Sequence, residues 1–141
     1  MIEIKKFLFE DKELMQTAHN IRREVFVIGQ NCPEDIEWEF EEESTHFLVY
    51  DNGEAVATAR HRKTKTGYKL ERFAVLESER GKNYGNMVLK AILSDLADFN
   101  GLIYIHAQIQ VLPFYEKVGF IKEGGLFEEA GIMHYKMVYK P

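Results

Sequence analysis

Residues Lys69 to Phe99 restrict the fold of this chain most, because three kinds of local structure follow one another there. Lys69-Leu70-Glu71-Arg72-Phe73-Ala74-Val75 reads as a strand, Glu79-Arg80-Gly81-Lys82-Asn83-Tyr84-Gly85 as a glycine-bearing loop, and Asn86 to Phe99 as an amphipathic helix. A helix that starts directly after such a loop leaves its first backbone N–H groups without acceptors. With the positive end of the helix dipole, those donors form a cradle for phosphates. Gly81 and Gly85 lack a Cβ, so the backbone there can approach an anion closely. The loop is not a P-loop, because no Gly-Lys-Ser/Thr follows, and it is not the dinucleotide fingerprint G-x-G-x-x-G.

On either side of this unit the chain changes character. Ile2 to Phe9 begins as alternating apolar and charged residues, the pattern of a first strand. Asp11 is placed to cap a helix whose apolar positions Leu14, Ala18, Ile21 and Val25 recur at steps of four, three and four, and Gly29 to Pro33 breaks it. Glu34 to Glu43 is a loop or short helix carrying Trp38 and Phe40. His46 to Tyr50, the Asn52-Gly53 turn and Ala55 to Arg62 form a hairpin, and Thr66-Gly67 turns the chain into the strand ending at Val75. Links this short make an antiparallel meander.

The helix after Gly85 is expected to bury Met87, Val88, Ala91, Ile92 and Leu96 and to end at an Asn100-Gly101 C-cap. The strand Leu102 to Gln108 follows, parallel to the one before the helix. A short helix with Pro113 in its first turn comes next. Phe120 to Lys122 and Ile132 to Tyr139 close the chain, joined by a loop containing Gly124-Gly125 and Gly131. The expected fold is α/β (α+β), with a mixed, mostly antiparallel sheet of six to seven strands and about four helices on both faces. All 141 residues are expected in a single domain, long enough to bury a core.

The net charge of −5 argues against a nucleic-acid surface. Acidic residues crowd Glu34 to Glu43 and basic ones Arg60 to Lys65; each group reads either as a solvated face or as a lip that attracts opposite charge. No apolar run reaches the roughly 18 to 20 residues needed to span a bilayer, and the N-terminus lacks a signal-peptide profile. The lone Cys32 cannot form an internal disulfide, nothing pairs it with a base, and it reads as an incidental loop residue. A cytoplasmic location without membrane association is expected, and no metal.

Arg80-Gly81-Lys82-Asn83-Tyr84-Gly85 resembles the R/Q-x-x-G-x-G/A pyrophosphate loop of the GNAT acetyltransferases, with Asn83 where the family has its first glycine. Asn tolerates the left-handed conformation better than most residues. A second segment, Phe114-Tyr115-Glu116-Lys117-Val118-Gly119-Phe120, is similar to another signature of that superfamily, and it stands in the right order after the first. The string Ile21-Arg22-Arg23-Glu24-Val25-Phe26-Val27 looks like the small bacterial members whose acceptors are not assigned.

The resemblance implies a GNAT fold in which the two central parallel strands splay apart and admit the pantetheine of acetyl-CoA. It implies cofactor contacts from Phe73, Ala74, Val75, Arg80, Gly81, Lys82, Asn83, Tyr84, Gly85, Asn86, Phe114 and Tyr115. It implies direct attack of a small-molecule or peptide amine on the thioester within a ternary complex. An amine is mostly protonated near neutral pH, so the reaction needs a proton acceptor as well as a donor to the departing thiolate. Tyr115 stands at the position of the family's general acid, or packs as an ordinary aromatic. His106 and Glu71 are candidate bases, and an ordered water chain is the alternative. Glu71 and Arg72 should face opposite ways by strand alternation. Arg22, Glu37, Trp38, Arg72 and His134 are acceptor-side candidates. A CoA-binding module without turnover is the competing reading. An exposed closing strand would offer an edge for a homodimer.

Overall fold

The computed structural model describes residues 1–29 and 39–141; Cys32, Glu37 and Trp38 lie outside the described residues. Strands β1 (Ile2–Leu8), β2 (Ser44–Asp51), β3 (Glu54–Lys63) and β4 (Gly67–Val75) form the antiparallel meander. Asn52 and Gly53 turn β2 into β3 with φ of 51° and 84°, the left-handed pair of a tight hairpin. Helix α1 (Lys12–Arg22) starts where the Asp11 carboxylate accepts from the Leu14 N–H at 3.1 Å, and it runs on as a wider π-helical turn, Arg23–Ile28. Helix α2 (Tyr84–Asp95) connects β4 to the parallel strand β5 (Leu102–Gln108). The short helix α3 (Leu112–Glu116) and the hairpin β6 (Phe120–Glu129) and β7 (Ile132–Tyr139) complete a seven-stranded sheet in the order β1-β2-β3-β4-β5-β7-β6.

The sheet separates two apolar clusters. On one face α1 packs Met15, Ala18 and Ile21 against Phe7, Leu48 and Ala74. On the other, Val88, Leu89 and Ile92 of α2 and Leu112 and Tyr115 of α3 meet Leu70, Ile105, Phe120 and Met137. At 12 residues α2 is marginal as an isolated helix. Each fully buried aliphatic side chain is worth about 1.5–3 kcal/mol, so this packing, not intrinsic propensity, holds α2 in place.

The structure corrects three expectations. Helix α2 ends at Asp95, short of Asn100, and the Asp95 carboxylate is taken by Lys6 at 2.5 Å and by His61 at 2.8 Å. The chain then folds back so that the Phe99 ring covers Gly101 and packs edge-on against Tyr68 at 4.8 Å. A Cβ on Gly101 would lie 2.5 Å from that ring, so the glycine serves close packing and not a helix cap. Gly124, at φ 82°, forms a bulge inside β6 where a loop was expected; the turn is made by Ala130 and Gly131 alone. The last strand is interior, and β6 forms the outer edge, so an edge-to-edge homodimer would use β6. Three α-helices stand among the described residues.

Candidate active site

The parallel pairing of β4 with β5 runs only from Gly67 opposite Leu102 to Leu70 opposite Ile105, although both strands continue. A bulge explains the divergence. Arg72 and Phe73 of β4 together oppose Ala59 of β3, with Arg72 at φ 59°. The extra residue bends β4 away from β5, and the sheet opens beyond Glu71 and His106. It also breaks the alternation expected of this strand: Glu71, Arg72 and Phe73 all line the resulting cleft of about 690 Å³.

At one end of the cleft stands the loop before α2. Gly81 is left-handed at φ 85° with open space where a Cβ would be, and Asn83 adopts φ 73° immediately before the helix. The first helical bond runs from the Met87 N–H to the Asn83 carbonyl at 3.1 Å. Among the described residues, no acceptor takes the N–H groups of Gly81 to Asn86. Gly85 packs close to Phe114 and Val75, where a Cβ would meet the Phe114 ring at 3.4 Å. The Arg80 side chain donates to the Val75 carbonyl at 3.2 Å, and Lys82 pairs with Glu79 at 3.1 Å. The Tyr84 side chain turns away into the core and donates to Asp51; that bond pushes its phenol up to about 12. Only its backbone belongs to the loop's inner face.

Tyr115, on the α2–α3 face of the sheet, is 5 % exposed and lies edge-on to Phe73 at 5.7 Å and to Phe114 at 4.9 Å. Burial pushes its phenol above the usual tyrosine range, so the hydroxyl is held protonated. The opposite face contributes His106 from β5 and His134 from β7, which the sequence had singled out, and Glu129 at the end of β6, which it had not. His106 Nδ1 lies 3.2 Å from Glu129 Oε1, and His134 Nδ1 donates to the Ile132 carbonyl at 2.7 Å. The Phe127 ring stacks on His134 and stands edge-on to His106. Because the split passes through the sheet, groups from both faces reach one cleft.

Two candidates are spent elsewhere. Glu71 accepts from Arg60 Nε and Nη2 at 3.0 and 2.7 Å and from Arg62 Nε at 2.7 Å, and pairs with Lys69 at 3.2 Å. Burial alone would raise its pKa, but the charges of Arg60, Lys69, Arg62 and Arg72 outweigh that and hold it at about 2. A carboxylate so held cannot serve as a base near neutral pH, which corrects the expectation for Glu71. Arg22, expected on the acceptor side, is 1 % exposed and pairs with Glu41 at 2.8 Å; Glu41 also binds Arg60, extending the buried ionic chain to Glu71. Glu37 and Trp38 lie outside the described residues. The Phe127–Glu129 side of the site was missed because Gly124-Gly125 was read as a loop, which left the strand after it without an assigned face.

A mixed sheet split between two parallel strands, with an unpaired helix head at the mouth of the split, defines an acyltransferase-type scaffold. Residues 10–141 match the family model for the acetyltransferase (GNAT) domain. The uncharacterized N-acetyltransferase YjcF of Bacillus subtilis (strain 168) is 39% identical over 140 residues, covering 96% of this chain and 99% of its own. Protein ElaA of Escherichia coli (strain K12) is 32% identical over 124 residues, covering 83% and 81%. The crystal structure of Escherichia coli ElaA superposes with a TM-score of 0.87 at 26% identity over 98% of this chain and 99% of that one. An aminoglycoside 6'-N-acetyltransferase complexed with coenzyme A shares the fold, with a TM-score of 0.75 at 17% identity over 96% and 95%. The chain belongs to the GNAT acetyltransferase family, whose general reaction is acetyl transfer to an amine.

Proposed function

We propose that this protein transfers an acetyl group from acetyl-CoA to a primary amine of a small molecule or peptide, by direct attack within a ternary complex. The observation that carries this reading is the row of unpaired N–H groups from Gly81 to Asn86 at the mouth of the split. A diphosphate fits this cradle: the donors are consecutive along the chain, the dipole of α2 favours negative charge, and the open space at Gly81 admits a close approach. Past Leu70, β4 has no strand partner on the β5 side among the described residues, so its backbone at Phe73 to Val75 is available to an extended pantetheine as an added strand would use it.

Acetyl-CoA supplies the activated acyl group as a thioester. The chain's own part is to hold it in the split, bring the amine in from the α1 face, and manage protons on both sides. Tyr115 is the proton donor to the departing sulfur. A phenol kept protonated by burial matches a thiolate that needs a proton. His106 and His134, which line the cleft, are the groups we assign to the acceptor amine. The aminoglycoside enzyme with coenzyme A bound lends the donor assignment support at the level of the fold.

The test combines binding and turnover. Acetyl-CoA should raise the melting temperature, and ATP or NAD should not, because only a native-state ligand shifts the transition. An amine panel should contain at least one member that triggers coenzyme A release. Binding without release on any amine would favour a CoA-holding module, and equal stabilisation by nucleotides would overturn the assignment of the cradle.

A further inference from the structure

Glu129 sits between the two imidazoles of the cleft, and nothing in the family motifs points to it. Its Oε1 lies 3.2 Å from His106 Nδ1, and its Oε2 lies 3.9 Å from His134 Nε2. A carboxylate can only accept, and the bond to His106 lowers the pKa of Glu129, so it is ionised and His106 Nδ1 carries the proton. His106 therefore presents its Nε2 lone pair away from Glu129, and among the described residues no partner occupies that atom. His134 is set the other way: its Nδ1 proton goes to the Ile132 carbonyl, and its Nε2 faces Glu129. The cross-strand neighbours agree. Gln108 pairs with His134, His134 with Phe127, and His106 with Lys136, so these side chains share one sheet face beside the split.

We infer that His106 and Glu129 form a proton-accepting dyad for the acceptor amine, with His106 Nε2 as the base and Glu129 as the residue that positions its ring. This rests on the transferase reading above. The acceptor ammonium gives one proton to His106 Nε2, and the amine nitrogen then bonds the thioester carbonyl carbon as the carbon–sulfur bond breaks. Sulfur takes the Tyr115 hydroxyl proton, the second nitrogen proton restores the phenol, and the imidazolium returns its proton to solvent. One proton is released per acetyl group transferred. Other charged groups face His106 from the neighbouring strands: Lys69 and Glu71 on β4, and His134 and Lys136 on β7. Glu71 is already compensated by its own cations, and Lys136 pairs with Glu123 at 3.2 Å, which leaves Glu129 as the carboxylate in contact with the ring.

The test follows the His106 ring nitrogens by NMR and kcat/KM for the amine that gives the fastest thiol release. In wild type the ring should show a proton fixed on Nδ1, facing the Glu129 carboxylate. Glu129→Gln should abolish that tautomer preference, because an amide offers Nδ1 either a donor or an acceptor. It should also lower kcat/KM while coenzyme A affinity stays unchanged. Glu129→Asp should restore most of both. A tautomer that stays fixed on Nδ1 in Glu129→Gln overturns the dyad, and so does an unchanged kcat/KM while the tautomer preference is lost. Wild-type thiol release is the control for the reaction itself. Its absence sinks the transferase reading together with this one, whereas release with an unchanged kcat/KM in Glu129→Gln sinks the dyad alone.

Discussion

Glu71 and Glu129 are the same residue type on the same cleft, yet their surroundings give them opposite chemistry. Glu71 is 7 % exposed and bonded to two arginines and a lysine, with its carboxylate held at about 2. Glu129 is 43 % exposed at its side chain, and its partners are imidazoles. The first is fixed inside a buried ionic chain from Arg22 through Glu41 and Arg60, and it stiffens the bulged strand where the sheet divides. The second touches groups that can themselves gain and lose protons. A carboxylate in a cleft is therefore not a base by virtue of its position; the number and kind of its partners decide.

The largest expected effect tests the structural half of this contrast. Glu71→Gln keeps the shape but leaves Arg60 and Arg62 without their counter-charge, and removing one partner of a buried ion pair costs about 3–5 kcal/mol. Denaturant melts should show that loss. Glu129→Gln, partly exposed and lightly tied, should cost less than about 1 kcal/mol. Equal losses would break the distinction.

Acid should expose the same asymmetry. Burial works to raise the Glu41 carboxyl, but the hydrogen bond from His19 and the charges of Arg22 and Arg60 override it and hold Glu41, like Glu71, at about 2 against an ordinary 4.5. The folded values lie below the unfolded ones, so the stabilisation is complete above the unfolded value and drains away as pH falls from 4.5 toward 2. Each carboxylate should account for roughly 3 kcal/mol across that window. The stability gap between wild type and Glu71→Gln should be full at pH 5 and mostly gone at pH 2.5. A difference that survives at low pH would mean that Glu71 stabilises by packing instead of charge.

The positions of these groups were unequally legible in the sequence. The meander, the strand–loop–helix unit and the left-handed turn at Asn83 depend on residues within a few positions of one another, and local pattern is enough to find them. The bulge at Arg72 is different. Nothing in Lys69-Leu70-Glu71-Arg72-Phe73 announces an extra residue, because the bulge exists only relative to β3, and strand alternation consequently put Glu71 and Arg72 on opposite faces. Likewise the partners of Glu71 come from strands 9 to 11 residues away, and Glu129 meets His106 across 23 residues. Charge type can be read locally, but charge compensation cannot.

Tyr115→Phe probes the other side of the split with a smaller expected change. Tyr115 is buried as a residue, and among the described residues no side chain or carbonyl holds its hydroxyl, so removing it disturbs little packing. If it donates a proton to sulfur, turnover should fall by about 10²-fold with cofactor affinity near normal, the typical worth of a positioned acid. Unchanged turnover at neutral and higher pH would reassign Tyr115 to packing against Phe73 and Phe114. The acid and the dyad would then no longer divide the chemistry between the two faces of the sheet.

The smallest effect concerns the cradle itself. Asn83 holds φ 73° without a side-chain capping bond, so its amide contributes nothing that glycine would lose at the start of α2. Glycine reaches that conformation without steric penalty but is freer in the unfolded chain, and the two terms oppose each other. Asn83→Gly should leave stability within about 0.5 kcal/mol. Its effect on coenzyme A is then a direct reading of the side chain alone: tighter binding means the Asn83 amide crowds the diphosphate, and weaker binding means the amide is itself a donor to it. No change in affinity would show that the ligand touches only the backbone donors, which are identical in both variants. Loss of the fold would contradict the observation that the turn, and not the side chain, is what this position provides.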